Sequence, residues 1–139
     1  MVDNMKTLQD AFVHTLKDVY YAENALTKAL PKMSEAASTK DLKKAFDDHL
    51  TETKEQIKIL KNVFKSIDET AEGEKCDAIE GLIKETEGLI EEASGKALEA
   101  SLIGAAQAVE HSRATAITEA VNVSKLCRIQ GQPIEKACD

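Results

Sequence analysis

Apolar side chains recur at alternating spacings of four and three residues along the first quarter of the chain. Between about residues 5 and 36 the series reads Phe12, Leu16, Val19, Glu23, Leu26, Leu30 and Met33, so that a carboxylate stands among hydrophobic residues. This alternation is typical of the buried face of a long helix in a bundle. Pro31 is expected to kink or end that helix near residue 30, because proline removes a backbone donor.

A second series with the same alternation runs from about residue 40 to about residue 68. It reads Leu42, Phe46, His49, Thr53, Gln56, Leu60, Val63 and Ile67, so three successive positions of the predicted buried face are polar. Ser38 and Thr39 precede the series as a candidate N-cap, with Asp41 completing a weak capping box after Ser38. The pattern predicts a second long helix that returns antiparallel to the first across a turn near residues 37–38.

Two further helices are predicted downstream. A short one spans about Cys76 to Glu92, and a long, alanine-rich one spans about Lys96 to Arg128. Apolar residues of the long helix cover more than one stripe, so its inner face is ambiguous. Long helices joined by short turns predict an all-α, antiparallel up-and-down bundle in a single domain, 1–139, with the short helix as a connector.

Composition agrees with an all-α chain and excludes several classes of function. Two prolines, six glycines and no tryptophan leave little turn chemistry for a β protein. Lys+Arg number 18 against 25 Asp+Glu, and the net charge of −7 disfavours nucleic acid and anionic membrane surfaces as partners. No apolar run approaches the roughly 18–20 residues that span a bilayer. Three cysteines without a CxxC or metal-finger spacing favour a reducing, cytoplasmic setting.

Polar residues on the two predicted buried faces fall at one level of the bundle. If the first two helices form a hairpin, Glu23 lies about fourteen residues before the turn, and Glu52 lies about fourteen residues after it. His49 is about one turn nearer the loop, and Gln56 is about one turn further away. A carboxylate inside a bundle is costly unless it is paired, protonated or bound to a metal.

The fourth predicted helix offers a further carboxylate for this layer. Glu110 follows Ile103 and Ala106 at helical spacing and can face inward, whereas His111 then points about 100° away. Inward Glu and His side chains from three helices are typical of di-metal carboxylate bundles, and such oxygen-rich donors suit Fe or Mn. The candidate ligands are Glu23, Glu52, Glu110, His49 and Gln56.

A purely structural interpretation of the same residues stays open. A buried Glu paired with Lys or His is commoner than a metal ligand, and a His on an apolar face is more often a core residue. Gln56 and Thr53 could hydrogen-bond to one another and fix the register of the helices. No Glu-x-x-His occurs; the second helix carries His49-x-x-Glu52 instead. His14 is offset from the first stripe and is expected at the solvated boundary.

Several segments resemble those of the YciE/YciF-like proteins. They are DVYYAE at 18–23, ALPKM at 29–33, AFDDHLTET at 45–53, KCDAIEGLI at 75–83 and LIGAAQAVEH at 102–111. The resemblance implies a ferritin-like helical fold, a homodimer, and a bacterial cytoplasmic protein linked to stress responses. It also implies a di-iron-type site, with Glu23, His49, Glu52, Gln56 and Glu110 on the family's motif positions.

The chain departs from that family after His111. Ser112 and Arg113 stand where the family usually has a Tyr and a second Glu, and Arg113 would place a fixed positive charge near the carboxylates. The family ends with a further long helix, which residues 125–139 do not resemble. The last bundle helix is therefore expected to be truncated or supplied by a partner chain, with about 129–139 as a divergent tail.

Two hypotheses follow for the function. In the first, a ferritin-like stress protein binds one or two Fe or Mn ions, and any catalysis would be oxidation of Fe(II) or reduction of peroxide. In the second, a non-enzymatic helical homodimer binds no metal, and its polar layer fixes the register with Arg113 in place of the metal charge. Glu23, Glu52 and Glu110 favour the first hypothesis, whereas Arg113 and the divergent C-terminus favour the second.

Overall fold

Four helices account for most of the described chain. The structure is a computed structural model that describes residues 7–129, without the side chains at 113, 115, 116, 119, 120, 123, 124 and 126–129. The helices are α1 (Leu8–Ala36), α2 (Lys40–Ser66), α3 (Asp77–Glu92) and α4 (Gly95–Ile129). Between residues 7 and 129 there is no strand, so the predicted all-α helical bundle is confirmed. The predicted divergent tail lies almost entirely outside the described residues.

Local hydrogen bonds explain where the first two helices begin. A capping box starts α1, because the Thr7 hydroxyl accepts from the Asp10 N–H while the Asp10 carboxylate accepts from the Thr7 N–H, both at 3.1 Å. Thr39 caps α2 by accepting from the Leu42 N–H at 3.3 Å. Ser38 therefore does not cap α2, and the capping box expected between Ser38 and Asp41 is wrong.

Ser38 and Thr39, in the turn between α1 and α2, form hydrogen bonds with Glu99 of α4. The backbone N–H and the hydroxyl of Ser38 both donate to Oε1 of Glu99, the hydroxyl at 2.6 Å. Thr39 donates its hydroxyl to Oε2 of Glu99 at 3.4 Å. These donors stabilise the charged carboxylate and lower the pKa of Glu99 from its ordinary value of 4.5. The first turns of α4 are thereby fixed beside the α1–α2 turn.

Pro31 does not end the first helix. The helix continues through this proline to Ala36, as the apolar series to about residue 36 predicts. Of the two effects expected of Pro31, an end near residue 30 is therefore wrong. Leu30 and Met33 on either side of the proline are buried, while Pro31 itself is exposed. Packing of these neighbours offsets the backbone hydrogen bond that the proline ring removes.

The first helix lies at the centre of the fold. It packs against each of the other three helices, and α3 packs against α4 as well as α1. The larger core cluster consists of Ala22, Leu26, Leu30, Met33, Ala37, Phe46, Ile79, Leu102 and Val109. A smaller cluster of Phe12, Leu16 and Phe64 closes the other end, where Tyr20 meets the Phe64 ring edge-on at 5.6 Å.

An irregular connection, residues 67–76, joins α2 to α3 and lies against α1. Asp68 turns the chain in the left-handed region, with φ of 57°. Gly73 comes so close to α1 that an added Cβ would lie 3.0 Å from the Tyr21 Cβ. Beyond the connection, the Tyr21 hydroxyl donates to Glu80 of α3, and this carboxylate raises the pKa of Tyr21. Gly73 thus allows the connection to pack closely against α1, and Glu80 links the start of α3 to α1 through its hydrogen bond with Tyr21.

Candidate functional site

A buried carboxylate lies in the middle of the first helix. Glu23 is only 1% exposed, and Val19 and Leu26, one turn away on either side, are buried hydrophobic residues. The 4–3 spacing places Glu23 on the same face as these neighbours, which is why it cannot reach solvent without disturbing the core. The predicted inward position of Glu23 is therefore confirmed.

On the second helix, the residue buried at this level is Thr53 rather than Glu52. Thr53 is fully buried, and Glu52 is exposed. The buried residues of α2 are Phe46, Thr53, Ile57 and Phe64. The first two are positions of the predicted stripe, whereas the last two each lie one residue beyond a predicted position. Glu52 precedes Thr53 by about 100° of helical rotation and faces outward. The role of Glu52 as a ligand stays a prediction.

The Thr53 hydroxyl bonds within its own helix. It donates to the backbone carbonyl of His49 at 2.8 Å. Such a bond to the carbonyl four residues earlier satisfies a buried hydroxyl without any partner from another helix. The alternative of a hydrogen bond between Thr53 and Gln56 stays a prediction.

A histidine of α2 meets a carboxylate of α4. Nε2 of His49 lies 2.6 Å from Oε1 of Glu110, and both side chains are half-buried. Gln56, two turns beyond His49 on α2, is half-buried as well, whereas His111 is exposed, as its helical phase predicts. The structure thus has a buried carboxylate on α1 and a histidine–carboxylate pair between α2 and α4. That they form one polar layer stays a prediction.

The interior beside the histidine is closely packed. His49 lines an enclosed space of about 10 Å³ together with hydrophobic residues of the core, among them Leu26, Ala106 and Val109. A space of this size is at the lower limit for a single water molecule. The core side of His49 therefore has no room for a metal ion together with water molecules of its own.

Another group of potential ligands lies in the N-terminal part of α1. Among residues 7–129, the described side chains contain one set of three or more His, Cys, Asp or Glu whose ligand atoms all lie within 4.8 Å of one another, namely His14, Asp18 and Glu74. The five predicted ligands do not form such a set. The His14 and Asp18 spacing is visible in the sequence as i, i+4, but the position of Glu74 depends on the irregular connection.

Comparison with known proteins identifies the family. Residues 7–131 match the family model described as "Domain of unknown function (DUF892)". The chain belongs to the DUF892 family. A curated relative, Protein YciF of Escherichia coli (strain K12), is 44% identical over 117 residues, which cover 78% of this chain and 66% of YciF. The chain thus spans about two thirds of the length of that relative, and the resemblance to YciF-like proteins is confirmed.

Solved structures of the family share the fold of this DUF892 chain. The crystal structure of the E. coli stress protein YciF matches with a TM-score of 0.84 and 35% identity, over 96% of this chain and 86% of that one. YcfI from Rhodopseudomonas palustris, provisionally described as a structural protein, matches with a TM-score of 0.79 and 38% identity, over 99% of this chain and 92% of that one. No described helix is long and apolar enough to cross a membrane.

The predicted ligands of this DUF892 chain are of the right chemical type for a metal, but no three of the four carboxylate and imidazole side chains among them have ligand atoms that all lie within 4.8 Å of one another. Carboxylate and imidazole groups from three helices are the donor types that Fe and Mn accept. Glu52, the carboxylate expected from α2, is exposed. Arg113 lies one turn beyond Glu110 on α4, and its side chain is outside the described part of the chain.

Proposed function

We propose that this protein is a cytoplasmic, YciF-like stress-response protein that binds Fe or Mn in the polar layer between α1, α2 and α4. Glu23, His49 and Glu110 would hold the first ion, with Gln56 beside them. The observation that carries the proposal is the contact of 2.6 Å between His49 of α2 and Glu110 of α4. The burial of the Glu23 carboxylate, which is only 1% exposed on α1, supports it. The stress role is supported by the similarity to the E. coli stress protein.

The chemistry of the ligands supports a hard or borderline metal. Carboxylates and an imidazole suit Fe and Mn, and a bound ion would supply redox chemistry, either oxidation of Fe(II) or reduction of peroxide. His49 binds a metal only as the neutral imidazole, and an ion held by its Nε2 would replace the direct contact between Nε2 and Oε1 of Glu110. Glu52 would join a second ion only after turning inward from its exposed position.

Iron loading with matched variants tests the proposal. The purified protein is loaded with Fe(II) in air, and the bound metal per chain is measured by elemental analysis, alongside Glu23→Ala, His49→Ala and Glu55→Ala. Glu55 is an exposed carboxylate of α2, the helix that carries His49, and serves as the control. We expect about one or two ions per chain in the wild type and in Glu55→Ala, and loss of the metal in the other two variants. Full metal retention in Glu23→Ala would contradict the proposed site.

A second candidate is a non-enzymatic helical homodimer whose polar layer fixes the register without a metal. The exposed position of Glu52 and the absence of a closed three-donor set among the five predicted ligands favour it. The substitution Glu23→Leu separates the two candidates. A metal-binding protein loses its metal, whereas a metal-free one keeps or gains stability, because a buried charge can often be replaced by a hydrophobic residue of similar volume.

A further inference from the structure

The cluster of His14, Asp18 and Glu74 lies apart from the proposed site in the bundle. His14 and Asp18 are one turn apart on α1, and Glu74 belongs to the connection between α2 and α3. Nδ1 of His14 lies 2.9 Å from Oε2 of Glu74, and Nε2 lies 3.5 Å from Oδ2 of Asp18. The two carboxylates therefore approach the imidazole from different elements of the fold.

The separations between the ligand atoms are compatible with a single small ion. One ligand atom from each residue lies within 4.8 Å of the other two. The centre of such a group is at most about 2.8 Å from each atom, so side-chain shifts below about 1 Å reach the roughly 2.0–2.2 Å of Zn–N and Zn–O bonds. Only one ring nitrogen of His14 can take the ion, and water completes the coordination.

Charge and burial also suit a divalent cation. The carboxylates of Asp18 and Glu74 together balance the charge of such an ion, and a neutral imidazole adds none. The three side chains are 27%, 34% and 31% exposed in the order His14, Asp18 and Glu74, so the cluster is partly shielded from water but open to an ion from solution.

We propose that His14, Asp18 and Glu74 form a binding site for one divalent transition-metal ion of the Zn²⁺ type, separate from the layer around Glu23. An imidazole with two carboxylates is a donor set that Zn²⁺ accepts, and Zn²⁺ binds such sites more tightly than Mn²⁺ or Fe²⁺. The ion would join α1 directly to the connection between α2 and α3. It would thereby hold the connection against the smaller core cluster, with which Ala71 packs.

Zinc titration in a background without the interior site tests this proposal. Calorimetry measures the binding of Zn²⁺ to full-length Glu23→Ala, and to the same protein carrying His14→Ala, Glu74→Gln or Glu72→Gln. Glu72 is an exposed carboxylate of the same connection and serves as the matched control. We expect about one ion per chain, with affinity at least roughly tenfold weaker after His14→Ala or Glu74→Gln and unchanged after Glu72→Gln. Circular dichroism of each variant confirms that it is folded.

Thermal unfolding gives a second readout that needs no catalytic activity. Zn²⁺ should raise the unfolding temperature of Glu23→Ala in a concentration-dependent way, and this rise should disappear with His14→Ala. Equal zinc affinity in the folded His14→Ala variant, or an equal loss in Glu72→Gln, would overturn the proposal. So would the absence of zinc binding, which would leave the cluster as a contact of His14 with two carboxylates. None of these results bears on iron loading at Glu23.

Discussion

The spacing of single residues on α1 predicted that the carboxylate side chain of Glu23 is buried. Glu23 stands in an unbroken 4–3 series, so its phase is fixed by three hydrophobic neighbours on each side, and the structure buries it. The phase of α2 was less well determined because three of its successive stripe positions are polar. Thr53 is buried as its stripe position predicts, but further along α2 the buried residues are Ile57 and Phe64 rather than Gln56 and Val63. Glu52, which was not on the stripe, is exposed.

The contribution of Glu99 to the stability of the protein should depend on pH, because its carboxylate has a shifted pKa. Hydrogen bonds from Ser38 lower its pKa below the ordinary value of 4.5. A carboxylate with a lowered pKa in the folded state contributes stability above its unfolded pKa and loses it as the pH falls through the folded one. We expect Glu99→Gln to destabilise the protein at pH 7 and this difference to shrink below about pH 4.5.

Urea denaturation of both proteins between pH 7 and pH 3 measures this effect. Glu91→Gln, which replaces an exposed carboxylate in the last turns of α3, is the control and should show no comparable change. A destabilisation by Glu99→Gln that stays constant over this range would show that the charge of Glu99 is not what the Ser38 donors stabilise.

At the scale of elements, the helices were predictable and the connection was not. All four predicted helices are present, with ends within about three residues of those expected. Hydrophobic periodicity accounts for this success because it extends over many turns. Residues 67–76 show no hydrophobic periodicity, so their path could not be predicted from the sequence. The proximity of Glu74 to His14, and with it the cluster of His14, Asp18 and Glu74, was therefore missed.

Two glycine substitutions should have opposite effects on stability. A Cβ at position 73 would lie 3.0 Å from the Tyr21 Cβ and 3.1 Å from the Tyr21 Cα, so Gly73→Ala must displace the connection from α1. We expect a cost of about 1–3 kcal/mol. Gly81 lies within α3 with nothing within 4 Å of an added Cβ, and Gly81→Ala should stabilise by about 0.5–1 kcal/mol.

The free energies of unfolding of the two variants and the wild type, from urea denaturation, test this expectation. If Gly73→Ala were as stable as the wild type, the connection would be able to move away from Tyr21 without loss. The close approach of Gly73 would then not contribute to holding α3 in place.

At the scale of the whole molecule, the long helices leave apolar residues uncovered. Ile59 on α2 is 61% exposed, and Ile103, Ile117 and Val121 on α4 are 46%, 40% and 45% exposed. The α4 residues extend a 4–3 series through Glu110, so the uncovered stripe passes the His49–Glu110 pair. A second chain packing here would shield that pair from solvent, which connects the proposed homodimer to the proposed metal site.

We expect the protein to sediment as a homodimer at micromolar concentration, and Ile103→Glu and Ile117→Glu to shift it to the monomer. A carboxylate introduced into an apolar interface must be desolvated on association, which costs far more than the lost contacts of isoleucine. Because both isoleucines are exposed within one chain, each substitution should change the stability of the monomer by no more than about 0.5 kcal/mol. Ala78→Glu adds the same charge at an exposed position of α3 and should stay dimeric. A wild type that remains monomeric, or a dimer that survives both isoleucine substitutions, would contradict association through this stripe.

Iron loading of the monomeric variants then shows whether the metal requires the second chain. Loss of iron would mean that dimerisation completes the site, and full loading would place all the necessary ligands within one chain.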